Sequence, residues 1–348
     1  MNEEVATEQA APDGLDLDSL QRFFESTVGA YGLVRAELLQ GGRSNLTYRI
    51  TDGYSSWVLR RPPLGGLTPS AHDMGREFRV VSALAGSGIP VASPVRYCED
   101  LSVLGVPFSV VGYVPGRVIR THDQLHTLSA GDIVRCGNNL VDLLAQLHAV
   151  PPEAAGLAGF GRADGYLDRQ IRRWRDQWRR VAARDLEDIE TLHARLADDV
   201  PAESGSAIVH GDYRIDNAIL DPDDPAKVLA LVDWEMATIG DPLADLALHL
   251  VYRDPAFDPI LGGFAASTSD RLPSIPEMAQ RYATVSSRDL GNLDFYLALG
   301  YFKLAVIAEG IHSRYLHGNT RGTGFDRVGE AVPDLAAAGL RALSVARR

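Results

Sequence analysis

Several short runs in the first third of the chain alternate apolar and polar positions with a period near two, and longer stretches there and in the rest repeat with a period near 3.6. Residues 34–39, 46–50, 56–60 and 107–111 read as strands, and the middle two meet across Asp52-Gly53 in the manner of a hairpin. Residues 17–28 carry Leu20, Phe23 and Phe24 at helical spacing, and 70–85 read as a helix that ends near Gly86 and Gly88. Further on, residues 133–149 place Leu140, Leu143, Leu144 and Leu147 on one side, and 166–180 and 293–314 also read as helices. Between these lie three short apolar runs, 206–209, 218–220 and 228–232. The last two are joined by Asp221-Pro222-Asp223-Asp224-Pro225, a turn-rich string that predicts a hairpin. Gly240-Asp241-Pro242 opens another helix, with Asp241 suited to its N-cap.

Composition narrows the class. The chain has 348 residues, 45% hydrophobic and 23% charged, ordinary values for a globular protein and room enough for two lobes. A net charge of −12 argues against a nucleic-acid or anionic-membrane partner. Cys98 and Cys136 give neither a disulfide framework nor zinc spacing. The acidic residues 1–18 lack the pattern of a signal peptide. The longest mostly apolar stretch, 295–308, carries Lys303 and is expected to be too short to span a bilayer. The expectation is a cytoplasmic protein with no membrane or nucleic-acid partner, and a disordered tail over residues 1–14.

Candidate chemistry concentrates in Ile208-Val209-His210-Gly211-Asp212-Tyr213-Arg214-Ile215-Asp216-Asn217 and in Leu231-Val232-Asp233-Trp234-Glu235. Phosphoryl transfer needs in-line positioning and charge neutralisation more than covalent work. Mg²⁺ takes oxygen ligands and keeps several waters, so one amide oxygen (Asn217) and one carboxylate (Asp233) are a plausible protein share. Asp212 is then left to orient a hydroxyl and take its proton, and Arg214 stands two residues on, where a cation can reach the transferring phosphate. The predicted hairpin puts Asn217 and Asp233 at neighbouring strand ends on one side. Singly, each of these is better read as a turn residue; it is the ordered set that points to a kinase.

These strings, "VHGDYRIDN" at 209–217 and "LVDWEMATIGDPLADLA" at 231–247, resemble the aminoglycoside phosphotransferase and choline kinase-like family over roughly residues 30–320. "GGRSNLTYRI", "WVLRRPP" and "YFKLAVIAEGIHSR" look more narrowly like the phosphotransferase domain associated with acyl-CoA dehydrogenases. The resemblance implies an α+β, two-lobed protein-kinase-like fold: a β-rich N-lobe over 15–111, a hinge at 112–116 and a mostly helical C-lobe over 117–348. It implies ATP and Mg²⁺ as cofactors, Asp212 as the catalytic Asp, and Asn217 and Asp233 as metal ligands. In the N-lobe it implies a loop of Gly41, Gly42, Ser44 and Asn45 over the nucleotide phosphates. Val58 would face the adenine, and Arg60 would face the phosphates where the family has Lys, with Arg61 as a competitor and Glu77 as the partner of Arg60. Backbone groups of Val111, Gly112 and Tyr113 would meet the adenine edge. Asp241 and Asp245 read as supports of the Asp233 loop, and His148 as structural. The gap after Asp233 is short and no Ala-Pro-Glu string follows, which argues against a protein kinase.

The acceptor, a small molecule bearing a hydroxyl, is read from two helices. In 166–180, Arg169, Arg173 and Trp174 fit either a surface for an anionic acceptor or a helix that packs its Trp side and solvates its Arg side. Glu309 and Arg314 stand late in 293–314, where they are candidates for lining the acceptor site. The basic helix tilts the choice towards a hydroxyacyl-CoA. Other readings are an aminoglycoside or other antibiotic, an amino-alcohol kinase, a non-catalytic nucleotide- or acyl-CoA-binding pseudokinase, or an acyl-CoA dehydrogenase label acquired by association.

Overall fold

The computed structural model describes residues 12–39, 45–64, 73–318 and 324–345. The chain divides into two units, Met1–Pro115 and Gly116–Arg348. The expected loop residues Gly41, Gly42 and Ser44, and residues 1–11 of the expected tail, lie outside the described residues.

The first unit is built on an antiparallel sheet of β1 (Arg35–Leu38), β2 (Leu46–Thr51), β3 (Ser56–Arg61), β4 (Pro94–Cys98) and β5 (Phe108–Gly112), in the order β1-β2-β3-β5-β4. The strand period decides which side is core. On β3, Trp57, Leu59 and Arg61 are buried, while Ser56, Val58 and Arg60 share the less buried face. The buried face meets Tyr48, Ile50, Phe108 and Val110 from its neighbours and Leu20 and Phe24 from the N-terminal helix. That helix, α1 (Leu17–Phe23), starts at Asp16, whose carboxylate accepts from the Ser19 N–H. The single helix expected over 17–28 instead widens into a π turn at Phe24–Val28, which closes at Gly29 with φ 88°. This turn sets Phe24 edge-on to Trp57, ring centroids 5.3 Å apart. The second helix, α2 (Met74–Leu84), is capped by Asp73 and buries Met74, Val80, Val81 and Leu84.

The second unit is mostly helical: α3 (Ala130–Ala149), α4 (Tyr166–Val181), α5 (Glu187–Asp198), α6 (Pro242–Val251), α7 (Ile275–Ser286), α8 (Leu293–Leu316) and α9 (Ala331–Val345). Two small antiparallel ladders carry its loops. Strand β6 (Ala207–Val209) pairs with β9 (Thr238–Gly240), and β7 (Ala218–Leu220) pairs with β8 (Val228–Leu231) as the expected hairpin. Helix α8 is apolar nearly all round because α4, α5, α6 and α9 pack about it. At 24 residues it is long enough and apolar enough to cross a bilayer, a correction to the shorter stretch expected from sequence; 72% of its most apolar window is buried inside the fold. Phe302, at its centre, has no exposed surface. Phe302→Ala should destabilise the protein by about 3–5 kcal/mol, the cost of a cavity in a close-packed core, and urea unfolding would measure it.

Candidate active site

The loop after β6 is shaped by two carboxylates of α6. Asp245 accepts the backbone N–H of His210 at 2.7 Å and of Gly211 at 2.9 Å. Burial opposes its charge, but hydrogen bonds from the His148 ring and the His210 N–H hold it below the usual carboxylate range. Asp241 caps α6 at Leu243 N and also binds the N–H and hydroxyl of Ser204 and the Tyr296 hydroxyl. Both therefore support the segment that bears Asp212, rather than the Asp233 loop expected from sequence. Gly211 has φ 81°, and a Cβ there would lie 2.6 Å from the Met236 carbonyl oxygen, so no other residue fits unstrained. His210 is fully buried against Trp234, with ring centroids 4.5 Å apart. Its Nε2 donates to the Val232 carbonyl at 3.0 Å, which leaves Nδ1 to accept the Asp212 N–H at 3.3 Å.

This scaffold presents a carboxylate fixed at both oxygens. Asp212 Oδ1 accepts the Tyr252 hydroxyl. Asp212 Oδ2 accepts Asn217 Nδ2 at 2.9 Å and lies 3.6 Å from Arg214 Nε. The side chain keeps 24% of its surface exposed, enough for a hydroxyl to reach it. Burial, with Asp212 alongside, pushes the Tyr252 phenol well above its usual range, so it remains a donor. Arg214 also pairs with Asp216 at 2.9 Å and lies over the rings of Tyr252 and Phe257. Burial disfavours its charge, but Asp212 and Asp216 outweigh that and hold the guanidinium more firmly protonated than usual. Lys303 of α8 donates to the Gly211 carbonyl at 2.8 Å and sits 5.6 Å from the centre of the Trp174 ring. Burial lowers its pKa against the pull of Asp212 and Asp245.

Asn217 and Asp233 come to one end of the β7–β8 hairpin, where Val232 N donates to the Asn217 carbonyl at 2.9 Å. The Asn217 amide nitrogen is spent on Asp212, donating to its backbone oxygen and to Oδ2, so its amide oxygen is the atom it can offer a cation. Asp233 adopts the left-handed conformation, φ 67° and ψ 59°, one of two described non-glycine residues with positive φ. Trp234, 1% exposed and bonded to the Leu231 carbonyl, anchors the turn that holds it there. A carboxylate and an amide oxygen are hard donors that suit Mg²⁺. Among the described residues no cluster of three or more His, Cys, Asp or Glu side chains forms an alternative metal site.

In the first unit Arg60 and Glu77 form the expected ion pair, with side chains 17% and 7% exposed. Val58 shares the Arg60 face. Arg61 is on the opposite, buried face and donates to the carbonyls of Pro62 and Gly14, which removes it as a competitor. Asn45 is buried. At the end of β5, Val111 pairs with Val58, Gly112 N donates to the Ser93 carbonyl at 2.8 Å, and Tyr113 N donates to the Ser56 carbonyl at 3.1 Å. The amide donors of Gly112 and Tyr113 are thus used by the sheet and its flank, and any adenine contact from these two falls to their carbonyl oxygens.

The expected acceptor residues divide. Helix α4 buries Leu167, Ile171, Trp174 and Trp178 and exposes Arg172, Arg173, Arg179 and Arg180, so its Trp side is packing surface. Trp174 nonetheless reaches the active-site loop through Lys303. Arg169 turns back to the carbonyls of Asp164 and Arg162, and Arg173 is solvent-exposed. Glu309 does not line an acceptor site: it is fully buried, accepts Ala183 N at 3.0 Å and pairs with Arg184 at 3.1 Å. Arg314 is exposed near the C-terminal end of α8. Sequence reading misses Tyr252 as a partner of Asp212 and Lys303 as a partner of Gly211, because 40 and 92 residues separate them.

Fold and site together define a small-molecule phosphotransferase of the protein-kinase-like type. Residues 35–280 match the phosphotransferase enzyme family, and the chain belongs to it. It is similar to human acyl-CoA dehydrogenase family member 11, 35% identical over 335 residues, or 94% of this chain and 43% of that protein. The chain thus spans less than half the length of that curated relative. Among solved structures it resembles a protein of Ralstonia eutropha JMP134 proposed to be an aminoglycoside phosphotransferase, 29% identical with a TM-score of 0.82 over 95% of this chain and 98% of that one. It also shares its fold with a thermostable mutant of aminoglycoside phosphotransferase APH(4)-Ia solved with ADP and hygromycin B, 16% identical with a TM-score of 0.61 over 92% and 97% of the two chains.

Buried His249 donates through Nδ1 to the Tyr213 carbonyl at 3.2 Å, and burial brings its pKa from 6.5 down to about 4. The unfolded chain therefore binds the proton first as pH falls. Stability present above pH 6.5 is lost towards about pH 4, by up to about 3 kcal/mol from this residue. His249→Asn keeps a donor and removes the titration, so its unfolding free energy should fall less steeply across that window.

Proposed function

We propose that this chain transfers a phosphoryl group from ATP, with Mg²⁺, to a hydroxyl of a small acceptor, and that Asp212 takes the hydroxyl proton. The observation that carries this reading is the Asp212 carboxylate, tethered at both oxygens yet partly exposed, with Asn217 binding it directly. Pinning both oxygens fixes the direction from which a hydroxyl can donate, and positioning is the main service a kinase supplies. Asn217 and Asp233 would hold the metal, which when bound neutralises charge on the phosphate oxygens. Arg214, firmly charged and beside Asp212, is suited to meet the transferring phosphoryl group. In the first unit, Val58 and Arg60 would meet the nucleotide, with Glu77 orienting the Arg60 fork.

For the acceptor we favour a hydroxyacyl-CoA thioester. Two observations support it: the kinship with a protein named for acyl-CoA chemistry, and the exposed Arg172, Arg173, Arg179 and Arg180 of α4, which suit an anionic ligand. An aminoglycoside is polycationic and would want acidic surface there instead. The pseudokinase reading rests on Arg60 standing where the family has Lys, and the Arg60–Glu77 pair keeps a cation paired at that position.

The test is Mg²⁺-dependent phosphate transfer from ATP to hydroxyacyl-CoA thioesters, aminoglycosides and amino alcohols side by side. Thioester phosphorylation is the expected result. Asp212→Ala should lower kcat by roughly 10²–10⁴-fold, the scale of a lost acid–base group; turnover at the wild-type rate would overturn the mechanism. Asp233→Ala should abolish the Mg²⁺-dependent part of nucleotide binding in a calorimetric titration.

A further inference from the structure

We propose that Tyr252 is a positioning residue for phosphoryl transfer, holding the Asp212 carboxylate in the one orientation from which it can receive the acceptor's proton. The inference rests on the kinase reading above and goes beyond the residues that reading assigns.

Three observations carry it. First, the contact is direct: the Tyr252 hydroxyl donates to Asp212 Oδ1 while Asn217 Nδ2 holds Oδ2 at 2.9 Å. One bond would leave the carboxylate free to swing about that oxygen; two on opposite oxygens fix its plane. Second, the phenol is itself immobilised. Tyr252 is 4% exposed, its ring packs on Phe257 with centroids 4.7 Å apart, and the Arg214 guanidinium covers it at 5.4 Å. Third, Tyr252 directly follows α6, whose Asp245 fixes the backbone of His210 and Gly211. One helix thus sets both the main chain that leads into Asp212 and the side chain of Asp212. A tyrosine placed only to fill space would not need its hydroxyl at the single carboxylate the reaction uses; the ring alone would pack.

Each carboxylate oxygen can accept more than one hydrogen bond, so Tyr252 on Oδ1 leaves room for a second donor. The acceptor hydroxyl can therefore bind Asp212 with the phenol still in place. Tyr252 moves no proton itself; it sets where Asp212 points.

The experiment is a double-mutant cycle on Mg²⁺-ATP phosphate transfer, with Tyr252→Phe, Asp212→Asn and the pair, each checked by thermal unfolding and by nucleotide titration. Tyr252→Phe keeps the ring and its packing. The expected result is a fall in kcat of about 10- to 100-fold, the scale of a hydrogen bond to a charged group, with nucleotide affinity unchanged. In the Asp212→Asn background the same substitution should cost less than about 3-fold, because its effect runs through that carboxylate. Wild-type kcat in Tyr252→Phe would overturn the inference and leave the kinase reading intact. So would an equal loss in both backgrounds, which is the mark of a purely structural role. Absence of Asp212-dependent transfer by the wild type on every acceptor would overturn the kinase reading, and this inference with it.

Discussion

The buried carboxylate of Asp245 is the constraint on which the site depends. It accepts two successive backbone N–H groups, of His210 and Gly211, and its other neighbour is the imidazole of His148 at 3.3 Å, itself bonded to the Tyr282 hydroxyl at 2.7 Å. Each amide would be an orphan donor without it, because Gly211 has left the strand and turned into a left-handed conformation. A charge this deep is costly unless it is hydrogen-bonded, and here three donors meet its two oxygens. The loop that bears Asp212 is thereby set by a charged network beneath it, and its sharp turn is tolerated because the network over-determines it.

The residues proposed to act chemically were legible in the sequence, and those that place them were not. Asp212, Asn217 and Asp233 lie in one local stretch, and the turn-rich string 221–225 predicts the hairpin that brings Asn217 and Asp233 to one end. The strand alternation on β3 likewise put Val58 and Arg60 on one face without knowledge of the rest. Glu309 shows the opposite case. A carboxylate late in an apolar helix invites a functional reading, yet its partners Ala183 and Arg184 arrive from 126 and 125 residues away and make it an internal ion pair. The limits of α8 were read nearly to the residue, 293–314 against Leu293–Leu316, because its apolar run is long; what the sequence hid is the packing of other helices about it. The amides of Gly112 and Tyr113 were spent on Ser93 and Ser56, a pairing that only the register of the sheet reveals.

Lys303 joins α8 and α4 to the loop that bears Asp212. Its ammonium lies beneath the Gly211 carbonyl and on the face of Trp174, so α8 and α4 are tied to the same turn. Asp212 and Asp245 both act to keep it charged against the cost of burial. The cation thereby balances some of the negative charge that Asp212 and Asp245 concentrate there.

One helical face explains why α6 organises so much of the site. Asp245 and Tyr252 stand four and eleven residues after Asp241, which at 100° per residue brings all three within about 40° of one another. The intervening Leu243, Leu246, Leu248 and Leu250 are all buried, so the polar stripe runs between packed apolar neighbours. Asp241 ends the stripe at the N-cap, where helix geometry leaves amides to be filled, and Tyr252 ends it just past the last turn. A stripe of hydrogen-bonding groups on an otherwise core-facing helix can be satisfied only by an element laid along it, and the segment from Ser204 to Asp212 is that element. In this chain the spacing Asp-x₃-Asp-x₆-Tyr marks the helix that supports the loop bearing Asp212, and it can be read along the chain itself once the helix is recognised. It links the sharp backbone turn at Gly211 and the aim of Asp212 to a single rigid body.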